Sequence, residues 1–144
     1  MTRLPIRHGT TVRVRYADTD KMGIVYNGNY FMFFEIGRTE LLRSLGLPYV
    51  ELERAGYLLP VLEAHAEYRM PAYYDDELEI VTTYEDSLSA TLTMRYEIFR
   101  GTDVVATGYT RHSFVRADVW KPTRPPRIFI EAIERAQFTP TVAL

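Results

Sequence analysis

Asp18 and Asp20 stand two residues apart in YADTDKMGIVYNGNY (residues 16–30), just ahead of an Asn27-Gly28-Asn29 turn and a strongly apolar segment. A carboxylate can attack a carbonyl carbon or take a proton from water. The first N–H groups of a helix have no internal partner, and the helix dipole adds partial positive charge there. Such amides hold an oxyanion or a polarised carbonyl. A carboxylate beside a helix N-terminus is therefore a minimal kit for acyl transfer. Gly28 would let a ligand come close to the backbone. Of the two acids, Asp18 reads as a turn former, because Asp side chains close turns on their own backbone. Asp20 lies nearer the helix, and the sequence offers it no structural partner.

Other chemistries fit less well. Asp18, Asp20 and Gly23 begin like a calcium loop, but the fifth and twelfth positions hold Met22 and Asn29, where that loop needs oxygen ligands. Phosphoryl-transfer aspartates follow a buried, continuously apolar parallel strand. The strand here carries Arg13 and Arg15. There is no G-x-S-x-G elbow, and His8, His65 and His112 are too scattered for a zinc site. His8 is expected to be exposed; His65 and His112, on strands, are expected to be packed or hydrogen-bonded. Glu63 and Glu67 flank His65 and read as a solvated face. No metal site is expected.

The elements that must position Asp20 and Asn27 follow from periodicity. Residues 10–17 alternate, with Val12, Val14 and Tyr16 against Arg13 and Arg15, as a half-buried strand does. Residues 28–46 read as a long helix whose apolar face holds Tyr30, Phe33, Phe34, Gly37, Leu41 and Leu45, widened by Phe31 and Leu42. Gly37 in that face predicts a close approach by another backbone, since glycine otherwise costs about 1 kcal/mol of helix propensity. Gly46 and Pro48 end the helix, and residues 48–55 add a short helical turn. Strands are expected over 58–69, 77–86, 89–100 and 103–116, the last three joined by short polar links as an antiparallel meander. In 89–100, Ala90, Leu92, Met94, Tyr96 and Ile98 face one way. A final short helix runs over about 126–136, with proline in its first turn. The economical arrangement is an α+β unit in which a small sheet curls around the long helix. It leaves an edge or a face to be covered, most simply by a second copy of the chain.

The 144 residues form one expected domain, 47% hydrophobic and without cysteine, which excludes disulfides and thiolate catalysis. A net charge of −2 argues against a general electrostatic grip on nucleic acid. No run approaches the ~18 apolar residues of a membrane span, and the first residues lack the apolar stretch of a signal peptide. A cytoplasmic protein is expected. Eleven tyrosines and seven phenylalanines suit a subunit interface or an aromatic-lined pocket.

The pattern Y-x-D-T-D-x-x-G-I-V-Y-x-x-N-Y followed by F-x-E-x-G-R-T-E resembles the hotdog-fold acyl-CoA thioesterases of the 4-hydroxybenzoyl-CoA thioesterase type, in their YbgC-like branch. LPVLEAHAEYRMPAYYDDELEI and VVATGYTRHSFVRAD with KPTRPP extend the resemblance over roughly residues 8 to 133. It implies a hotdog fold: a five-stranded antiparallel sheet wrapped around one long central helix. It implies hydrolysis of an acyl-CoA or acyl-carrier-protein thioester, with Asp20 as nucleophile or general base. The backbone N–H of Asn27 would polarise the carbonyl, and Tyr26, Gly28 and Asn29 would shape the substrate site. No cofactor is implied beyond the coenzyme A of the substrate, and the assembly would be a homodimer or homotetramer with active sites at the dimer interface. Arg69, Lys121, Arg124 and Arg127 are the cations available for the coenzyme A phosphates. A non-catalytic hotdog module that binds an acyl thioester is the alternative.

Overall fold

The computed structural model describes residues 5–85 and 89–138. The apolar alternation read from the sequence closes into a five-stranded antiparallel sheet in the order β1-β4-β5-β6-β3. Its strands are β1 (Ile6–Arg13), β3 (Val61–Tyr68), β4 (Glu77–Tyr84), β5 (Thr91–Arg100) and β6 (Asp103–Ser113). A smaller sheet joins β2 (Tyr57–Leu58), β7 (Val115–Arg116) and β8 (Lys121–Pro122). The helices are α1 (Asn29–Ser44), α2 (Tyr49–Arg54) and α3 (Arg127–Phe138). The architecture is the expected hotdog arrangement, with three helices among the described residues, α1 being the long one that the sheet wraps.

α1 buries Tyr30, Phe33, Phe34, Gly37, Leu41 and Leu42, the face that 3.6-residue periodicity selects. Leu45 lies just past its end. Across from it, β4 presents Leu78, Ile80, Thr82 and Tyr84, and β5 presents Leu92, Met94, Tyr96 and Ile98, all buried. Phe34 stacks on Tyr96, with ring centroids 4.4 Å apart and 8° between planes. Burying a phenylalanine side chain contributes roughly 1.5–3 kcal/mol, so this layer holds α1 in place. Gly37 is where helix and sheet come closest. What approaches it is not backbone, as expected, but the β4 side chains: a Cβ there would meet Thr82 Oγ1, and Ile80 Cγ2 at 2.7 Å. α3 closes the end of the core through Phe129, packed on Phe114 and Tyr84.

One polar chain crosses this core. His112 Nδ1 lies 3.1 Å from the Leu59 carbonyl, which can only accept, so Nδ1 carries the proton. Nε2 must then accept from Thr110 Oγ1 at 2.8 Å, and Thr110 accepts from the Tyr96 hydroxyl at 2.5 Å. Burial drives His112 down to about 4, so it stays neutral. It is packed and hydrogen-bonded, as expected for a strand histidine.

Several boundaries differ from the sequence reading. β1 starts at Ile6 and stops at Arg13, because residues 16–18 form a 3₁₀ turn. Tyr16 is therefore turned out, 78% exposed. The strand expected over 58–69 breaks at Leu59-Pro60, because proline has no N–H for a ladder. The strand over 103–116 breaks at Phe114, whose N–H bonds the Ala90 carbonyl instead of continuing along β3. His8 lies on β1 opposite Thr82 and is half-buried rather than exposed. The end of the strand expected over 77–86 and part of the following link lie outside the described residues.

β3 breaks the alternation seen elsewhere. It is a sheet edge, and seven of its eight residues are exposed. Val61, Leu62 and Tyr68 are large apolar side chains among them.

Candidate active site

The local fold around residues 15–30 is a small hairpin leading into α1. Asp18 anchors it. Its carboxylate accepts from the Arg15 backbone N–H at 2.9 Å and from the Arg15 guanidinium at 2.9 Å. Burial, the largest single influence, pushes the Asp18 carboxyl up; the Arg15 hydrogen bonds and charge together outweigh it and hold it below its ordinary 3.8. Asp18 is thus the turn former, and its own carbonyl pins the far arm of the hairpin. That carbonyl accepts from the Tyr26 N–H at 3.0 Å and from Asn29 Nδ2 at 2.8 Å. Thr19 and Val25 form the bridge between the arms.

Asp20 sits at the start of the tight turn that the bridge closes. Its carbonyl accepts from Gly23, which takes φ +80°, a conformation glycine adopts without strain. Oδ1 accepts from the Met22 N–H at 2.9 Å. Oδ2 has no donor, and no cation pairs with the carboxylate among the described residues. Asp20 is half-buried.

The N-terminus of α1 is uncapped by any side chain. Instead the chain tightens: Asn29, Tyr30 and Phe31 donate back to the carbonyls of Tyr26, Asn27 and Gly28 at 2.9, 3.3 and 3.3 Å. This moves the orphan donors two residues upstream. The amides of Asn27 and Gly28 have no acceptor among the described residues, so the positive end of the helix is presented there. Asn27 was expected from the sequence; the Gly28 amide was not. The Asn29 side chain does not cap the helix but ties it to Asp18. A Cβ at Gly28 would meet the Tyr26 ring at 2.8 Å. Tyr26 lies over it with 56% exposure.

Beside this turn is a cavity of about 310 Å³ lined by Ile24, Val25, Asn27, Tyr30, Tyr68, Arg69, Met70 and Pro71. Its wall is mainly apolar, and the Tyr30 and Tyr68 rings meet in it at 5.3 Å. Burial raises the Tyr30 phenol to about 12, so it remains protonated. Of the four candidate cations, Arg69 alone lines this cavity. Arg127 pairs with Glu131 at 2.9 Å, and Lys121 and Arg124 are exposed elsewhere. Tyr68 was not singled out by the sequence: its hydroxyl donates to the Asn27 carbonyl at 3.0 Å, across 41 residues of chain. His65 and Glu67 pair with each other on the outside of the sheet, and Glu63 bonds Tyr109 and Arg111. They form the solvated face expected. Among the described residues no cluster of acids and histidines could hold a metal ion, and no helix is long and apolar enough to cross a membrane.

Fold and site together define a hotdog protein with an acid and a helix N-terminus beside an apolar cavity. The family comparison agrees: residues 14–134 match the thioesterase-like superfamily, and the chain belongs to it. It is 32% identical over 81% of its length to the acyl-CoA thioesterase YbgC of Haemophilus influenzae, covering 86% of that protein. The structure of a DHNA-CoA thioesterase from Staphylococcus aureus superimposes with a TM-score of 0.84 at 32% identity, over 91% of each chain. A protein of Aquifex aeolicus does so with a TM-score of 0.83 at 34% identity, over 88% of this chain and 98% of its own. The hotdog fold and the YbgC-like resemblance carried by residues 16–30 are thereby confirmed, and thioester hydrolysis is the activity for which two of these relatives are named.

Proposed function

We propose that the protein hydrolyses the thioester of an acyl-CoA, or of an acyl-carrier protein, to a free acid and a thiol. The observation that carries this reading is the pair of acceptor-free amides at Asn27 and Gly28, set one short hairpin from an aspartate with an uncommitted oxygen. In the reaction the thioester oxygen sits against the helix N-terminus, where developing negative charge meets fixed N–H dipoles. The Asp20 carboxylate either attacks the carbonyl carbon, giving an anhydride that water then opens, or takes a proton from the attacking water. The C–S bond breaks and the thiolate leaves. The acyl group enters the cavity lined by Tyr30, Tyr68 and Met70, and Arg69 at its wall faces the charged end of the substrate.

A second copy of the chain completes the assembly. β3 is an eight-residue edge, exposed, with apolar side chains along it, and an unpaired edge of that kind is suited to antiparallel addition of another strand. Pairing two β3 strands joins two sheets and brings both helix N-termini to one interface, as a dimer or within a tetramer. Free-thiol release across short, long and aromatic acyl-CoAs and one acyl-carrier thioester tests the activity. Hydrolysis of at least one of them is expected; no turnover of any, by a folded protein, would refute it.

A further inference from the structure

We infer that Tyr68 is a positioning residue that aims and strengthens the carbonyl-polarising amide from the neighbouring strand; this rests on the thioesterase reading above. Three of the contacts that hold residues 26–29 come from the segment's own hairpin: Asp18 O to the Tyr26 N–H, Asp18 O to Asn29 Nδ2, and Tyr26 O to the Asn29 N–H. The Asn27 carbonyl accepts from the Tyr30 N–H at 3.3 Å within the start of α1 and, at the shorter 3.0 Å, from the Tyr68 hydroxyl, the contact that reaches it from β3. A peptide is planar and trans, so its C=O and the following N–H point in opposite directions. Fixing the Asn27 oxygen therefore fixes the direction of the Gly28 N–H, one of the two amides without an acceptor. A donor on an amide oxygen also draws electron density from its nitrogen. The Gly28 N–H becomes a stronger donor through the same cooperativity that links hydrogen-bond chains. The Tyr68 ring is held for this by Tyr30, which is buried on α1, at 5.3 Å. Tyr68 itself need not touch the reacting atoms.

A purely structural or pocket-lining role predicts something else. If Tyr68 only walls the acyl cavity, losing its hydroxyl changes KM and leaves kcat alone. If it positions and polarises the donor, kcat falls and KM stays, because the interaction matters most when charge develops on oxygen. The experiment compares wild type with Tyr68→Phe, which keeps the ring, on the substrate that the wild type hydrolyses fastest. It also reads the Gly28 amide proton by two-dimensional NMR. Expected are a kcat lower by about 3- to 10-fold, an unchanged KM, an unchanged melting temperature, and an upfield shift of the Gly28 proton. An unaltered kcat, or a loss confined to KM, overturns the inference while leaving the thioesterase reading intact. A wild type inactive on every thioester overturns the parent reading and the inference with it.

Discussion

Replacing Gly37 by alanine tests the packing that places the helix N-terminus. In an exposed helix the change would stabilise by about 1 kcal/mol, through propensity alone. Here the new methyl would point at Thr82 Oγ1 and lie 2.7 Å from Ile80 Cγ2, with Tyr96 Cδ1 at 3.7 Å. Thr82 and Ile80 are both fully buried and both β-branched, so neither can swing away by a rotamer change without cost. Overpacking of this kind costs about 1–3 kcal/mol, and two stiff neighbours put this site toward the upper end. The balance is a net loss of about 1–2 kcal/mol, roughly 3–10 °C in Tm for a chain of this length. The Thr82 hydroxyl has no hydrogen-bond partner among the described residues, so removing it as Thr82→Ala should recover part of the loss in the double variant. Urea unfolding of the four proteins, at one fixed protein concentration, measures this. A Gly37→Ala protein as stable as wild type, or more so, would refute the claim that α1 lies on β4 at this distance.

The remaining predictions concern the charges and the polar chain. His112 binds its proton in the unfolded chain near 6.5 but in the folded chain only near 4, so folding loses stability as pH falls through that window. Stability should drop by roughly 2 kcal/mol between pH 8 and pH 5, a slope that urea titrations detect and that His112→Gln should flatten. Asp18 has the opposite chemistry and the same direction. Its folded value lies below 3.8, so its stabilisation is complete above that value and fades as pH falls below it. Asp18→Asn should cost about 1–2 kcal/mol at pH 7, with the gap to wild type closing in unfolding experiments below pH ~4.

α1 was legible because its apolar residues recur at helical spacing, and β5 because Leu92, Met94, Tyr96 and Ile98 alternate without a break. Both patterns record burial against a single neighbouring layer. β3 carries no such record. It is an edge, exposed on both faces, and with Val61 as its one β-branched residue it reads as a strand only through its context. The breaks at Leu59-Pro60 and Phe114 were hidden because strands that change sheet keep the composition of strands. At the candidate site, Asp20 and Asn27 stand out in the sequence because they lie within eight consecutive residues. At Gly28 the missing Cβ also makes room for the Tyr26 ring, a contact that spacing does not encode. The Tyr68 hydroxyl and the chain from Tyr96 to His112 were out of reach for a related reason. The first reaches from β3 to the loop before α1, and the second passes from β5 to β6; only the folded chain brings these residues together.

The proposed hydrolysis depends most directly on the Asp20 carboxylate. Asp20→Asn keeps the shape of the side chain and the Met22 contact but removes the charge needed to attack or to accept a proton. Thiol release from the best acyl-CoA substrate should fall by several orders of magnitude, roughly the 10²–10⁴-fold of a lost acid–base group or more, while the folded spectrum and Tm remain those of wild type. An Asp20→Asn protein that releases thiol at the wild-type rate would contradict the account.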